Sequence, residues 1–156
     1  ENSISLSMGD RVEVNVMISE ITAGNRFDLI VSNPPYFIDA LKCPDEQRCT
    51  ARHAGNLNYD LLFHRSASLL EEQGVVSIII PAEAEKTVVD TAWNHKLFPL
   101  HRVQVFTKPG KPCRRVLLNF GFEAKECREE KLCIEVNHNE FTPEYVALTK
   151  DFYLKM

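Results

Sequence analysis

Asn33, Pro34, Pro35 and Tyr36 stand in a row inside "FDLIVSNPPYF" (residues 27–37), directly after a short and almost wholly apolar run. An Asn side chain carries an amide oxygen that accepts hydrogen bonds, and proline keeps its carbonyl but has no N–H. This turn therefore offers acceptors rather than donors. A following proline holds Asn33, and then Pro34, in an extended conformation and aims the carbonyls rigidly. The Asn33 oxygen and the Pro34 carbonyl can together accept both hydrogens of one –NH2 group, while Tyr36 offers a flat face for stacking. An amine attached to a base or a carbonyl has its lone pair delocalised and is a poor nucleophile. Two accepted hydrogen bonds draw that nitrogen toward sp3 geometry and point its lone pair at an electrophile. Catalysis of this kind works by positioning and electrostatics, without a general base. A plain turn is the competing reading, since Asn and Pro both favour turns on steric grounds.

The elements that hold these residues follow from hydrophobic pattern. "RVEVNVMI" (11–18) alternates and is β-branched, which predicts a strand. "FDLIVS" is nearly continuous in its apolar character, as expected of a strand covered on both faces. A polar, irregular stretch from Phe37 to Leu57 follows, long enough to be functional rather than a tight connection. "NYDLLFHRSASLLEEQG" predicts a helix, with Asn58 as N-cap, helical spacing at Leu62, Phe63, Ser66, Leu69 and Leu70, and Gly74 at the stop. "VVSIIIP" predicts a second buried strand ended by Pro81. "AEAEKTVVDTAWNHKL" predicts a second helix, with acids in its first turn and His95 and Lys96 in its last. "LHRVQVFT" and "RRVLLNFGF" read as two strands joined by the basic loop "KPGKPC", and "KLCIEV" as a further short one. Thr142 and Pro143 mark the start of a last helix. Strands alternating with helices predict an α/β sheet with right-handed parallel crossovers, and the late strand pair predicts an antiparallel edge hairpin. A ligand of such a sheet sits outside the carboxyl ends of its strands, where Asn33 lies.

The chain has 156 residues, 44% apolar and 26% charged, as expected of one ordinary globular domain or part of one. No stretch approaches the length of a membrane span, and "ENSISLSMGDRVEV" has neither the basic nor the apolar region of a signal peptide. Glu1 reads as the tail of a helix, which predicts further residues upstream. Cys43, Cys49, Cys113, Cys127 and Cys133 form an odd set without a C-x-x-C pair, as expected of free thiols in a reducing cytoplasm. The net charge of −4 hides an asymmetry. Between Thr91 and Phe122 there is no Asp or Glu, yet Lys96, Arg102, Lys108, Lys111, Arg114 and Arg115 all fall there. Such a stretch attracts a polyanion, against the alternative of a merely solvated surface. His64 and His95 read as structural residues on helices, His101 as ambiguous at a strand, and Trp93 as core.

"SNPPYF" at a strand end resembles the catalytic motif of S-adenosylmethionine-dependent amino-methyltransferases acting on adenine, guanine or glutamine nitrogen. "ARH" (51–53), "LLEEQGVVSIIIP", "CRRVLLNF" and the ending "EYVALTKDFYLKM" resemble the bacterial tRNA1(Val) adenine-37 N6-methyltransferase family along the whole chain. The resemblance implies the C-terminal two thirds of a Rossmann-like class I methyltransferase domain. It implies a mostly parallel sheet, S-adenosyl-L-methionine as cofactor, and the tRNA anticodon loop as partner. Asn33, Pro34, Pro35 and Tyr36 would form the catalytic motif around the target adenine. Phe37, Arg52 and His53 would cover it, and Lys108, Lys111, Arg114 and Arg115 would meet tRNA phosphates, Arg115 being open to a structural ion pair instead. The family's N-terminal basic region and its glycine-rich turn after the first strand are not in this chain. The acid that follows the family's third strand has no clear counterpart; Ile18 and Ser19 stand about there and Glu20 slightly beyond. Ser19, Glu20 and Asn33 are thus the cofactor-side candidates. An anticodon loop is already single-stranded, so splaying out one base is cheaper than flipping it from a duplex.

Two other readings remain open. The four-residue motif is shared by enzymes acting on DNA adenine, rRNA guanine or protein glutamine. A non-catalytic chain that binds RNA or a partner is the reading of another class.

Overall fold

A computed structural model describes residues 4–6, 12–14, 26–34, 59–138 and 140–152. Strands β1 (Ile4–Leu6), β2 (Val12–Val14) and β3 (Phe27–Ser32) come first, then helix α1 (residues 59–69) and β4 (Leu70–Pro81). A 3-10 turn at Ala82–Ala84 leads into α2 (Glu85–Asn94), followed by β5 (Phe98–Phe106), β6 (Arg115–Gly121) and β7 (Arg128–Cys133). The chain continues through β8 (Glu135–Asn137), β9 (Glu140–Phe141) and α3 (Pro143–Thr149).

Alternation along β4 dictates how the layers stack. Val76, Ile78 and Ile80 point to one face and are buried there beside their register partners Phe120, Leu118 and Val116 of β6. Tyr59, Leu62 and Phe63 of α1 and Val88 and Ala92 of α2 belong to the same buried cluster, and Phe63 meets Phe120 edge-on at 5.2 Å. Each fully buried side chain of this size contributes about 1.5–3 kcal/mol. The five-stranded sheet runs β3-β4-β6-β5-β7, with β3 parallel to β4, β5 parallel to β7, and β6 antiparallel to both its neighbours. The expected α/β architecture and the β5–β6 hairpin are both present, with β7 added outside the hairpin.

Several boundaries depart from pattern. The first helix ends at residue 69, and residues 70–74 belong to β4, where Phe27 pairs with Leu70 and Leu29 with Val75. Arg26 donates to the Leu70 carbonyl at 3.1 Å, so pairing with the neighbouring strand overrides the helical preference of "LLEEQ". Gly74 is therefore no helix stop. Residues 4–6 form a strand paired antiparallel with β2, while Glu1, read as the tail of a helix, lies outside the described residues. "KLCIEV" is divided at Ile134 between β7 and β8. His95 is the C-cap of α2 rather than part of its last turn, and Lys96 takes a left-handed φ of 58° beyond it. Trp93 is 57% exposed and rests edge-on against Phe98, so it is not a core residue. Thr142 does cap α3, accepting from Tyr145 N–H at 3.2 Å with Pro143 at the first helical position. Asn58 and residues 15–18 lie outside the described residues.

Candidate functional site

The carboxyl end of β3 delivers Asn33 and Pro34 to the surface, Asn33 exposed and Pro34 half-buried. Ser32 pairs with Ile78, so β4 continues past this end to Pro81 and forms the neighbouring wall. Pro35, Tyr36, Phe37, Arg52 and His53 lie outside the described residues, as do Ser19 and Glu20.

Strand direction brings the basic loop to the same edge. Pro81, at the carboxyl end of β4, pairs with Arg115, where β6 begins; Arg115 pairs in turn with Val105 near the end of β5. Phe106 pairs with Cys133 at the end of β7. The carboxyl ends of β3, β4, β5 and β7 and the amino end of β6 therefore share one edge of the sheet, and residues 107–114 project from it. The loop is tied to both sides: Ala82 N–H donates to the Arg114 carbonyl at 3.3 Å, and Arg114 N–H to the Val105 carbonyl at 3.1 Å. Lys111 and Arg114 are exposed, Arg115 is half-buried with Nη1 donating to the Arg114 carbonyl at 3.2 Å, and Lys108 faces Glu135. Sequence reasoning grouped these four cations but missed Glu135, whose position at this edge follows only from the parallel pairing of β5 and β7.

Arg102 of β5 is committed elsewhere. Its guanidinium forks onto Glu85 in the first turn of α2, Nη2 donating to Oε2 at 2.9 Å and Nε to Oε1, with Glu129 Oε2 3.7 Å from Nη1. The hydrogen bond to Glu85 holds the Arg102 pKa above its already high ordinary value, against the opposing effect of burial. Cys113, Cys127 and Cys133 are free thiols, as expected for these three. Burial pushes the Cys127 thiol up, with Glu129 adding to the effect and Arg102 opposing it. His95 faces Asp60 across the α2–α1 gap at 2.8 Å and stacks edge-on with His64, the structural role expected of both. His101 lies inside β5, 3.5 Å from Glu130. Among the described residues no group of His, Cys, Asp and Glu could hold a metal ion, and no helix is long and apolar enough to cross a membrane.

Chemically, the edge offers side-chain and carbonyl acceptors at Asn33 and Pro34, with exposed cations along the same rim. This combination suits an uncharged amine carried by a polyanion.

A family model described as Eco57I restriction-modification methylase matches residues 7–91. A tRNA1(Val) (adenine(37)-N6)-methyltransferase from Bacteroides fragilis is 42% identical over 160 residues, covering 100% of this chain and 68% of that protein. A protein of the same name from Phocaeicola vulgatus is 45% identical over 148 residues, covering 94% of this chain and 63% of that one. The chain thus spans about two thirds of the length of these curated relatives. A solved structure of a predicted O-methyltransferase from Agrobacterium tumefaciens superposes with a TM-score of 0.58 at 16% identity, over 80% of this chain and 51% of that one. The last likeness shows the fold, that of a methyltransferase sheet.

Proposed function

The chain belongs to the tRNA1(Val) (adenine(37)-N6)-methyltransferase family, and from that premise we propose that its β3 edge presents an anticodon-loop adenine for methylation on N6. S-adenosyl-L-methionine is the methyl donor and supplies an electrophilic methyl group. The described residues fit one wall of a site for it, because Asn33 stands exposed at the strand end where a ligand of an α/β sheet binds. Asn33 and Pro34 accept the two N6 hydrogens and fix the amine with its lone pair directed outward; Pro35 keeps the turn rigid and Tyr36 stacks on the base. By the family resemblance, Phe37, Arg52 and His53 serve the RNA target, and Ser19 and Glu20 the cofactor. Lys111 and Arg114 face the phosphates. Residues 1–156 form the C-terminal two thirds of a single methyltransferase domain, which works in the cytoplasm, where its RNA substrate is.

One observation carries this reading: Asn33 and the exposed cations of the β5–β6 loop lie on one edge of one sheet. The methylase model that matches residues 7–91 favours a second reading, methylation of DNA adenine, because it covers the motif shared by both chemistries. Curated relatives matching to the end of the chain favour RNA. Transfer of labelled methyl groups to unmodified tRNA, duplex DNA and a glutamine peptide separates the readings. Label on N6 of the adenine beside the anticodon supports the first, and label confined to DNA or peptide overturns it.

A further inference from the structure

The cations of the β5–β6 loop do not share one environment. Lys108 and Lys111 open and close a tight turn in which Lys111 N–H donates to the Lys108 carbonyl at 3.2 Å. Pro109 fills its second position and Gly110 its third with a φ of 73°, the residues and the positive φ that a type II turn demands. Lys111, at the far end, is exposed. Lys108, at the near end, has Nζ 3.2 Å from Glu135 Oε2, with the two side chains 34% and 25% exposed.

Glu135 Oε2 is buried and accepts no hydrogen bond, so the Lys108 ammonium is the charge that offsets it. The backbone on either side of this carboxylate is pinned. Ile134 N–H donates to the Phe106 carbonyl at 2.9 Å, Glu135 N–H to the Thr107 carbonyl at 3.0 Å, and Thr142 N–H to the Ile134 carbonyl at 2.9 Å. The Glu135 carbonyl itself accepts from Cys133 Sγ at 3.3 Å. A fixed anion therefore grips the first residue of the turn.

We propose that Lys108 is a positioning residue: through Glu135 it fixes the turn that presents Lys111, with Arg114 beyond it, to RNA phosphates, and makes no phosphate contact itself. This rests on the RNA-methyltransferase reading. Were Lys108 to swing to a phosphate, it would leave a half-buried carboxylate, its Oε2 shut off from solvent, without a counter-charge, whereas Lys111 and Arg114 stand in solvent and give up little. The single-sign stretch from Thr91 to Phe122 thus divides by role. Arg102 is held by Glu85 and Lys108 by Glu135, and the exposed pair is displayed.

The sign of one substitution tests this. Glu135→Gln removes a negative charge and no cation. If Lys108 contacted phosphate, freeing it would tighten binding of an unmodified tRNA transcript and steepen the salt dependence. As a tether, its release loosens the turn, so affinity falls several-fold with the slope unchanged. Lys108→Met is expected to weaken binding without lowering the slope, while Lys111→Met and Arg114→Met each lower the log–log slope by about 0.7 to 0.9. The charge-swapped pair Lys108→Glu with Glu135→Lys restores affinity lost in the single variants, which separates a tether from general loss of folding. Tighter binding by Glu135→Gln, a lower slope for Lys108→Met, or a swapped pair that restores nothing overturns the proposal and leaves the RNA reading standing. Unchanged slopes for both Lys111→Met and Arg114→Met remove the loop from the RNA surface, and the tether with it.

Discussion

Asn33 asks little of its side chain beyond an oxygen held at the right place, which makes its removal informative. Asn33→Ala deletes a preorganised acceptor without disturbing the core, since the residue is exposed at the end of β3. Loss of one such contact raises the barrier by about 2.7–4 kcal/mol. We expect single-turnover methyl transfer to collapse while tRNA affinity holds; turnover within a few-fold of wild type would refute the role. Cys127 tests the electrostatics at the opposite extreme of chemistry. Burial and the Glu129 carboxylate both favour its neutral thiol, so the folded state holds the proton to higher pH than the unfolded chain does. At mildly alkaline pH, iodoacetamide should label Cys127 more slowly in the native protein than in urea, and the gap should close as pH passes the folded value. Equal rates throughout would show that burial does not act on this thiol. Residue types alone disclosed the acceptor character of Asn33 and Pro34, because the side-chain amide of asparagine carries a carbonyl oxygen and proline keeps its carbonyl while lacking an N–H. They could not disclose Glu135, an ordinary acid in sequence that becomes a tether only when β7 pairs beside β5.

At the scale of elements, periodicity located the strands that matter and failed where two elements compete for the same residues. Leu69 and Leu70 extend the apolar face of α1, and Glu71, Glu72 and Gln73 are good helix formers followed by a glycine. Nothing local in that stretch opposes a longer helix. What opposes it is distant: Leu70 is fully buried and paired with Phe27. The same limit explains Trp93, whose apolar character predicted burial although α2 turns its Val88 and Ala92 inward instead. Gly74 offers a direct check on the revised boundary. A Cβ there would lie 2.8 Å from Leu70 Cδ1 and 2.8 Å from the Phe27 carbonyl oxygen, closer than real contacts allow. Leu70 can yield, but the β3 backbone cannot move without disturbing the strand that carries Asn33. Gly74→Ala is therefore expected to cost about 1–3 kcal/mol by urea unfolding, through overpacking against β3. It should also depress methyl transfer more than tRNA binding, because the displaced atoms belong to the strand that aims the acceptor. A neutral substitution would place residues 70–74 away from β3.

For the molecule as a whole, the asymmetry of the sheet decides behaviour in solution. One face of β3 reaches the core through Ile30, while Leu29 and Val31 on the other are 58% and 71% exposed. Among the described residues β3 has β4 on one side and no strand on the other. Unpaired N–H and C=O groups beside apolar side chains make a template for another strand, and native sheets usually blunt such edges with charge, proline or a bulge. Here the irregularity between Phe27 and Leu29 faces β4, and Leu29 to Ser32 carry no charge. The 156-residue chain is thus expected to associate with concentration, seen as a rising mass in size-exclusion chromatography with light scattering. Leu29→Lys and Val31→Lys place a cation next to that edge and should shift the population toward monomer. Arg114→Lys, a conservative change on the rim, should not. Because the association surface ends where Asn33 begins, self-association and tRNA binding should also compete: added tRNA should lower the apparent mass of the protein component. A monomer at all concentrations, or lysine variants that associate as readily as the parent, would show that the β3 edge is not the contact.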